Sequence, residues 1–457
     1  MNMVSDVLSI LRTWHRMPAG ELLTRAQISR PTLMRMVRSL GEQVVARGRA
    51  RRTAYAARRA IRGMGRSIPL FQIDPEGRGK QIANFDPIYP GGCALDFMAP
   101  FDWPLPDAMR DGWFEGLPYP LDDMRPQGFL GRHFARHHAS MLQVEEDPRQ
   151  WSEDDVLYAL SLLGSDSPGN LILGEGAYRR FLAEVQAAPA FLDDAHFEDA
   201  YIAKAQDAMN FGVADSSAGG EFPKFTARRL IDGRPTHVIV KFSGADTSPG
   251  TQRWSDLLVC EHLALRTVRE QLGIDASPSV IYQAGGRTFL EVRRFDRHGA
   301  FGRSAVCSWA ALNAALVGLA GKPWAAGAAS LRAQGLIDTA VEQTIQRIWY
   351  FGQLIANADM HDGNLAFRPG LTLAPVYDML PMLYAPTRGV ELPDRAFAPK
   401  LPLPAEITSW VDAARAALAF WRAVADDARI SASFRQTCAE NMEIVRVLVK
   451  YAAGSAG

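Results

Sequence analysis

Residues 354–367 read LIANADMHDGNLAF and set Asn357, Asp359, His361, Asp362 and Asn364 within eight positions between two apolar flanks. Apolar flanks favour burial, whereas polar groups taken from water without partners cost free energy. The fold must therefore bring this segment to a cleft where a ligand, or the groups themselves, satisfy it. Val341, Ile345, Ile348 and Ile355 recur at helical spacing and mark one buried face of a helix that delivers the segment.

A chain of 457 residues has room for two or three domains. It has no run of about 18 apolar residues, which argues against a membrane span. Its opening, MNMVSDVLSILRTWHRM, lacks the basic start, long apolar core and small-residue cleavage site of a secretory signal. Cys93, Cys260, Cys307 and Cys438 lie far apart with no CxxC, as buried thiols in a reducing compartment would. A cytoplasmic location is the expectation.

Net charge is zero, but it is segregated. Residues 1–70 hold 14 Arg and no Lys against Asp6, Glu21 and Glu42, an excess of eleven positive charges. The remainder carries the opposite excess. Such asymmetry suggests a nucleic-acid-facing module joined to an acidic body. Val4, Val7, Leu8 and Leu11 are helically spaced, PAGELLTRAQ suggests a second helix, and SRPTLMRMVRSLG a third. In the third, Ser29 is the cap, Pro31 sits in the first turn and Gly41 is the stop. Leu33, Met36, Val37 and Leu40 would face inward, Arg35 and Arg38 outward. VVARGRARRTAYAA reads as a β-hairpin with a basic tip. Three helices and a two-stranded wing make a winged helix-turn-helix over residues 1–66. Its third helix would enter the major groove of double-stranded DNA, and Arg47, Arg49, Arg51 and Arg52 would meet phosphate. The alternative is a basic face that contacts another protein or the acidic body.

Residues 67–205 form a connecting region rich in Pro, Gly and aromatics, with short strands and then helices near 125–145 and 152–163. From 206 to 300 a β-rich lobe is expected. AMNFGVADSSAGGEFPKFTARRLIDGRPTHVIVKFSG reads as strand, Gly-rich loop, strand, a turn at Asp232-Gly233 and strand. A helix ended by Gly273 and a hairpin turning at Gly285-Gly286 follow. Residues 301–457 read as mostly helical. The fold class is α+β, with two lobes and the cleft between them that nucleotides commonly occupy.

Asp359 and Asn364 are five apart, and Asp378 follows in LAPVYDML. Protein kinases space a base Asp and a metal-binding Asn in this way, with a second metal-binding Asp on a nearby strand. An Asp can accept a hydroxyl proton, while Asn and Asp oxygens suit Mg²⁺. Lys241 ends HVIVK and would neutralise phosphates, or else snorkel to water from a strand end. Gly219 and Gly220 in SSAGGEFPK permit close backbone approach to phosphate, Lys224 adds charge, and Glu261 could pair with Lys241 or lie on the surface.

Three segments in order, Val292-Arg293-Arg294-Phe295-Asp296-Arg297, Asn357-x-Asp359-x-His361-x-x-Asn364 and Pro375-Val376-Tyr377-Asp378, resemble the HipA family of serine/threonine kinase toxins. The resemblance covers about residues 205–450 and, more loosely, WFEGLPYPLDDMRPQGFLGR at 113–132. It implies a bilobal, kinase-like domain using ATP and Mg²⁺. Asp359 would be the catalytic base, and Asn364 and Asp378 the metal ligands. Lys241 would hold phosphates, and Gly219, Gly220, Glu221, Phe222, Pro223 and Lys224 would form the phosphate loop. Arg293, Arg294 and Phe295 would lie along the adenine, with Phe295 stacking. His361 would sit near phosphate, and Asp362, Gly363 and Tyr377 would complete the cofactor contacts. Arg293 stands where the family pattern shows Glu. Ser217, with Ser216 adjacent, occupies the place of a serine that can be autophosphorylated. The resemblance also implies a protein substrate, such as an aminoacyl-tRNA synthetase or another translation component. A fused winged helix looks like the single-chain subgroup of the family.

Two other readings use the same residues. Asp359, His361, Asp362 and Asp378 could hold a divalent metal in a deoxyribonuclease, the Arg-rich module supplying DNA. Alternatively, a degenerate kinase fold could sense ATP in a transcriptional regulator.

Overall fold

The computed structural model describes residues 3–64, 67–212, 222–387, 391–392 and 394–454. Among the described residues no helix is long and apolar enough to cross a membrane.

The N-terminal helices are Met3–Thr13, Ala19–Ala26 and Arg30–Leu40. Ser29 Oγ accepts the Thr32 N–H, Pro31 occupies the first turn, and Gly41 closes the third helix at φ +50°. The strands Met17–Pro18, Ala54–Ala57 and Val44–Arg47 form an antiparallel sheet in that spatial order. Val7, Leu11, Leu22, Leu33, Met36, Leu40 and Tyr55 make one small core. Arg35, Arg38, Arg49, Arg51 and Arg52 are exposed.

Part of the basic excess faces the acidic body. Arg47 donates to Asp86 at 2.8 Å, and Arg58 lies 3.2 Å from the same carboxylate. Asp86 is buried. Arg59 pairs with Asp154 and Glu153, Arg62 with Asp155, and Arg52 with Asp111 at 2.6 Å. Of the six arginines expected at DNA, Arg47 is thus already engaged by a buried carboxylate. A buried charge needs a partner, and the two-fold pairing of Asp86 supplies it.

The middle region is a five-stranded antiparallel sheet in the order Trp113–Phe114, Cys93–Phe97, Gly79–Pro87, Ile68–Ile73 and Leu171–Leu173. Helices Gly128–Leu142 and Glu153–Leu163 lie where the sequence suggests.

The next sheet runs Ser279–Ala284, Arg287–Arg293, Arg234–Phe242 and Lys224–Ile231, all antiparallel. Its two faces follow the pleat. Phe289, Val238, Val240 and Phe242 pack with Phe197, Tyr201 and Ala205, whereas Leu290 and Val292 join the core of helix Pro249–Leu272. Where the first strand is expected, residues 208–212 are instead the end of the helix Phe197–Gly212, and the residues after Gly212 up to 221 lie outside the described ones. Phe197, Tyr201, Ala205 and Ala208 recur at helical spacing and bury one stripe on the sheet.

Helices Trp309–Leu316, Trp324–Ala333, Thr339–Leu354, Ile407–Asp426 and Ala432–Gly454 form the C-terminal lobe. Trp410, Phe420, Trp421 and Phe351 are fully buried there, in one core shared with helix Pro249–Leu272.

Candidate active site

Lys241 is the junction of the two lobes. It lies in strand Arg234–Phe242, opposite Lys224 on one side and Leu290 on the other. Its Nζ donates to Glu261 Oε1 at 2.8 Å and Oε2 at 2.7 Å, and also to the Asp378 carboxylate. Glu261, on helix Pro249–Leu272, is only 1% exposed. Both surface alternatives, for Lys241 and for Glu261, are therefore not what the structure shows.

The charges follow from this sharing. Burial works against the Lys241 ammonium, but Asp378 and Glu261 outweigh it and raise its pKa. Burial pushes the Glu261 carboxyl up to about 7. Burial acts on Asp378 in the same sense, yet Lys241 and Lys224 hold it below its ordinary value. Asp378 thus keeps its charge.

Two backbone bonds pin the Asp378 segment to the β-lobe. The Val376 N–H donates to Asp275 O and the Ser277 N–H to Val376 O, each at 2.9 Å. Asp378 itself has φ +55°, a left-handed conformation that Asp tolerates better than most residues.

The loop opens where helix Thr339–Leu354 ends. Ala356 turns at φ +60°, and the Asn357 N–H returns to Gly352 O at 2.9 Å. Asn357 is buried, and its Oδ1 accepts the Asp359 N–H at 3.0 Å. Asn364 Nδ2 donates to Asp359 O at 2.9 Å. That bond uses the amide N–H and leaves Oδ1 as the atom able to hold a cation. Asp359 is thus fixed on both sides through its backbone, with its side chain exposed.

His361 Nδ1 accepts the Gly363 N–H at 3.0 Å, so in the neutral ring the proton sits on Nε2. Tyr377 donates to Gly363 O at 2.6 Å, and its ring lies 5.7 Å from that of Phe295 at 38°. Phe222 is buried against Trp254, with ring centroids 4.6 Å apart, and Lys241 Nζ stands 6.0 Å from the Phe222 ring. Pro223 O accepts the Phe242 N–H at 3.1 Å. Ser216, Ser217, Gly219, Gly220 and Glu221 lie outside the described residues.

The structure gives two of the expected site residues other partners. Asp362 faces Asn313, whose Nδ2 donates to it at 3.0 Å. Arg294 joins a buried ion cluster: its Nε and Nη2 donate to the two Asp296 oxygens at 3.0 Å, and Nη1 reaches Asp166. Arg297 binds the same two acids at 2.7 Å. Arg293, next to it, is half-buried at the strand end, its N–H on Pro278 O. Burial opposes charge on Asp296, but Arg294 and Arg297 hold its carboxyl well below the usual range. The cluster fastens the β-lobe to residues 166–169. Asp296→Ala would leave two buried guanidinium groups to share the single, half-exposed carboxylate of Asp166. An unfolding free energy lower by about 3–5 kcal/mol is expected, read from the denaturant midpoint, with a smaller loss for Asp296→Asn.

As a metal site, Asn364 and Asp378 fit a hard cation that takes few protein oxygens and completes its shell with phosphate. Among the described residues no three of His, Cys, Asp and Glu are grouped to hold a metal ion.

Comparison with known proteins agrees with this layout. A family model described as the HipA-like C-terminal domain matches residues 216–445, and one described as the YjjJ-like toxin middle domain matches residues 64–182. The chain is 38% identical over 445 residues to Toxin YjjJ of Escherichia coli (strain K12), covering 96% of this chain and 97% of that protein. The chain belongs to the HipA-like toxin family. The fold of this HipA-like chain also resembles a HipA solved in complex with HipB and operator DNA, from Shewanella oneidensis MR-1. The TM-score is 0.53 at 15% identity, over 84% of this chain and 97% of that one. The bilobal, kinase-like architecture is common to both.

Proposed function

We propose that this toxin is an ATP- and Mg²⁺-dependent protein serine/threonine kinase with a fused winged helix-turn-helix that binds duplex DNA. The observation that carries the kinase reading is Lys241 Nζ held between Glu261 and Asp378, with Tyr377, the residue before Asp378, bonded to Gly363 O of the Asp359–Asn364 loop. Bound Mg²⁺-ATP would supply the γ-phosphoryl group and neutralise its charge. Asn364 and Asp378 would hold the metal, and Lys241 would face the phosphates. Asp359, fixed by Asn357 and Asn364, would accept the proton of a protein hydroxyl and orient it. Phe295 and Tyr377 offer aromatic faces to the adenine. The resemblance points to a translation component, such as an aminoacyl-tRNA synthetase, as acceptor.

The deoxyribonuclease reading leaves the Lys241–Glu261 pair without a role and needs Asp362, which Asn313 engages. The ATP-sensor reading does not explain why Asp359, Asn364 and Asp378 are all present. Calorimetric titration of the full chain with ATP tests the nucleotide site. Tighter binding with Mg²⁺ than with a chelator is expected, and Asp378→Ala should abolish the difference. Equal affinity in both conditions would overturn the assignment of Asn364 and Asp378.

For DNA, the exposed Arg35 and Arg38 on the third helix, with Arg49, Arg51 and Arg52 at the hairpin tip, form the candidate contact surface. Each phosphate contact steepens the salt dependence of binding by roughly one unit of log–log slope. Replacing Arg49 and Arg51 with Ala should therefore flatten it by about two units, measured by fluorescence anisotropy across salt concentrations. Arg47→Ala, already engaged by Asp86, should leave the slope alone. An unchanged slope in the Arg49/Arg51 variant would overturn the hairpin contact.

A further inference from the structure

The segment at 113–132 and Asp362 have no place in the mechanism above, yet one chain of hydrogen bonds connects them. Tyr119–Asp122 is a short helix whose Tyr119 hydroxyl donates to Pro104 O at 2.9 Å. The next residue, Asp123, accepts both the N–H and the Oγ–H of Ser308, at 2.7 and 2.5 Å. Ser308 is in turn the cap of helix Trp309–Leu316, accepting the Ala311 N–H. That helix lies along the far end of the loop. Cys307 and Ser308 pair antiparallel with Phe367 and Ala366, and the Trp309 N–H donates to Leu365 O at 2.7 Å. From its middle, Asn313 reaches the loop itself. Asn313 is 1% exposed. Its Nδ2 donates to Asp362, and its Oδ1 accepts the Leu319 N–H at 2.8 Å.

We propose that Asp123 and Asn313 are positioning residues, through which the middle region sets the register of the Asp359–Asn364 loop. This deepens the kinase reading and rests on it. The physical reason is the short lever. Asp362 is flanked by two residues tied to one another, the Gly363 N–H donating to the His361 ring Nδ1, and it stands two positions before Asn364. A loop held by its own turn is free to rock as a body. A buried amide bonded to a carboxylate at its tip removes that freedom, and charge-assisted bonds of this kind are the stronger ones. Displacing reacting groups by about 1 Å costs orders of magnitude in rate without removing any of them.

The test is an exchange of partners. Asn313→Ala should lower kcat by about 10- to 100-fold, the usual effect of removing a group that orients a site residue. The affinity for Mg²⁺-ATP should stay within about threefold, since no phosphate contact is touched. Asn313→Asp sets two carboxylates face to face and should be worse. Adding Asp362→Asn to Asn313→Asp restores one donor and one acceptor, and should recover most of the lost rate. Hydrogen–deuterium exchange of the peptide spanning 354–368 gives a readout independent of turnover: faster in Asn313→Ala, restored in the exchanged pair. Asp123→Asn should shift both measurements in the same direction by less. Wild-type kcat and exchange in Asn313→Ala, or a double variant no better than Asn313→Asp, would overturn the proposal. Should the wild-type chain transfer no phosphate, the kinase reading falls and the exchange data alone decide: protection lost in Asn313→Ala and regained in the double variant supports the coupling, and unchanged protection refutes it.

Discussion

Replacing Asp359 with Ala is expected to remove phosphoryl transfer while leaving Mg²⁺-ATP bound. The carboxylate acts only on the incoming hydroxyl, so its loss affects the transition state and not the nucleotide. General base catalysis contributes roughly 10²- to 10⁴-fold, and orienting the nucleophile adds to that. The loop should survive the change, because Asn357 and Asn364 both hold the Asp359 backbone, which the variant keeps. Label transfer from γ-labelled ATP, set beside ATP affinity, checks it. Near-wild-type transfer would mean that another group is the base.

Lys241→Ala is expected to do wider damage, to transfer, ATP affinity and stability together, because Lys241 ties Glu261 and Asp378 to its own strand. Transfer should fall by roughly 10²- to 10³-fold, the usual effect of deleting one preorganised group that stabilises transition-state charge. ATP affinity should fall with it. Lys241→Arg should rescue poorly, since a planar guanidinium cannot sit as a compact ammonium between Glu261 and Asp378. Stability should fall as well, because Glu261 is left buried without a counter-charge. The pH dependence has a definite sign. The folded-state pKa of Lys241 is raised, so its stabilisation is fully present below the ordinary lysine value of about 10.4 and is lost only as pH rises beyond it. The difference in thermal midpoint between wild type and Lys241→Ala should therefore not fade as pH rises from 7 to 9 through any titration of Lys241. Unchanged turnover and ATP affinity in both variants would remove Lys241 from the site.

Local chemistry made some features legible and hid others. Asp232-Gly233 and Gly285-Gly286 turn as expected because both positions need positive φ, which they adopt. Ser29, Pro31 and Gly41 delimit a helix by capping rules that act over three or four residues. The loop at 357–364 stood out because adjacent polar residues between apolar flanks need an explanation of their own. Long-range ion pairs left no such trace. Arg294 and Asp166 are 128 positions apart, and Arg47 and Asp86 are 39 apart. The arginine-rich hairpin alone therefore could not separate DNA-facing guanidinium groups from those docked on the acidic body. Asn313 was invisible for the same reason: one amide on an apolar helix gives no local signal. The end of the helix Phe197–Gly212, from Ala208 on, reads as a strand because a short Ala- and aromatic-bearing stretch fits a strand as well as a helix until its buried partners are known.

The most direct test of the kinase reading is one reaction. The purified full chain is incubated with γ-labelled ATP, Mg²⁺, duplex DNA and a cell lysate as a pool of acceptor proteins, beside the Asp359→Ala variant. The result expected is label on protein that requires Mg²⁺ and is absent with Asp359→Ala, with the DNA intact. Unlabelled protein from wild-type chain, or DNA cleaved in place of labelling, would contradict it.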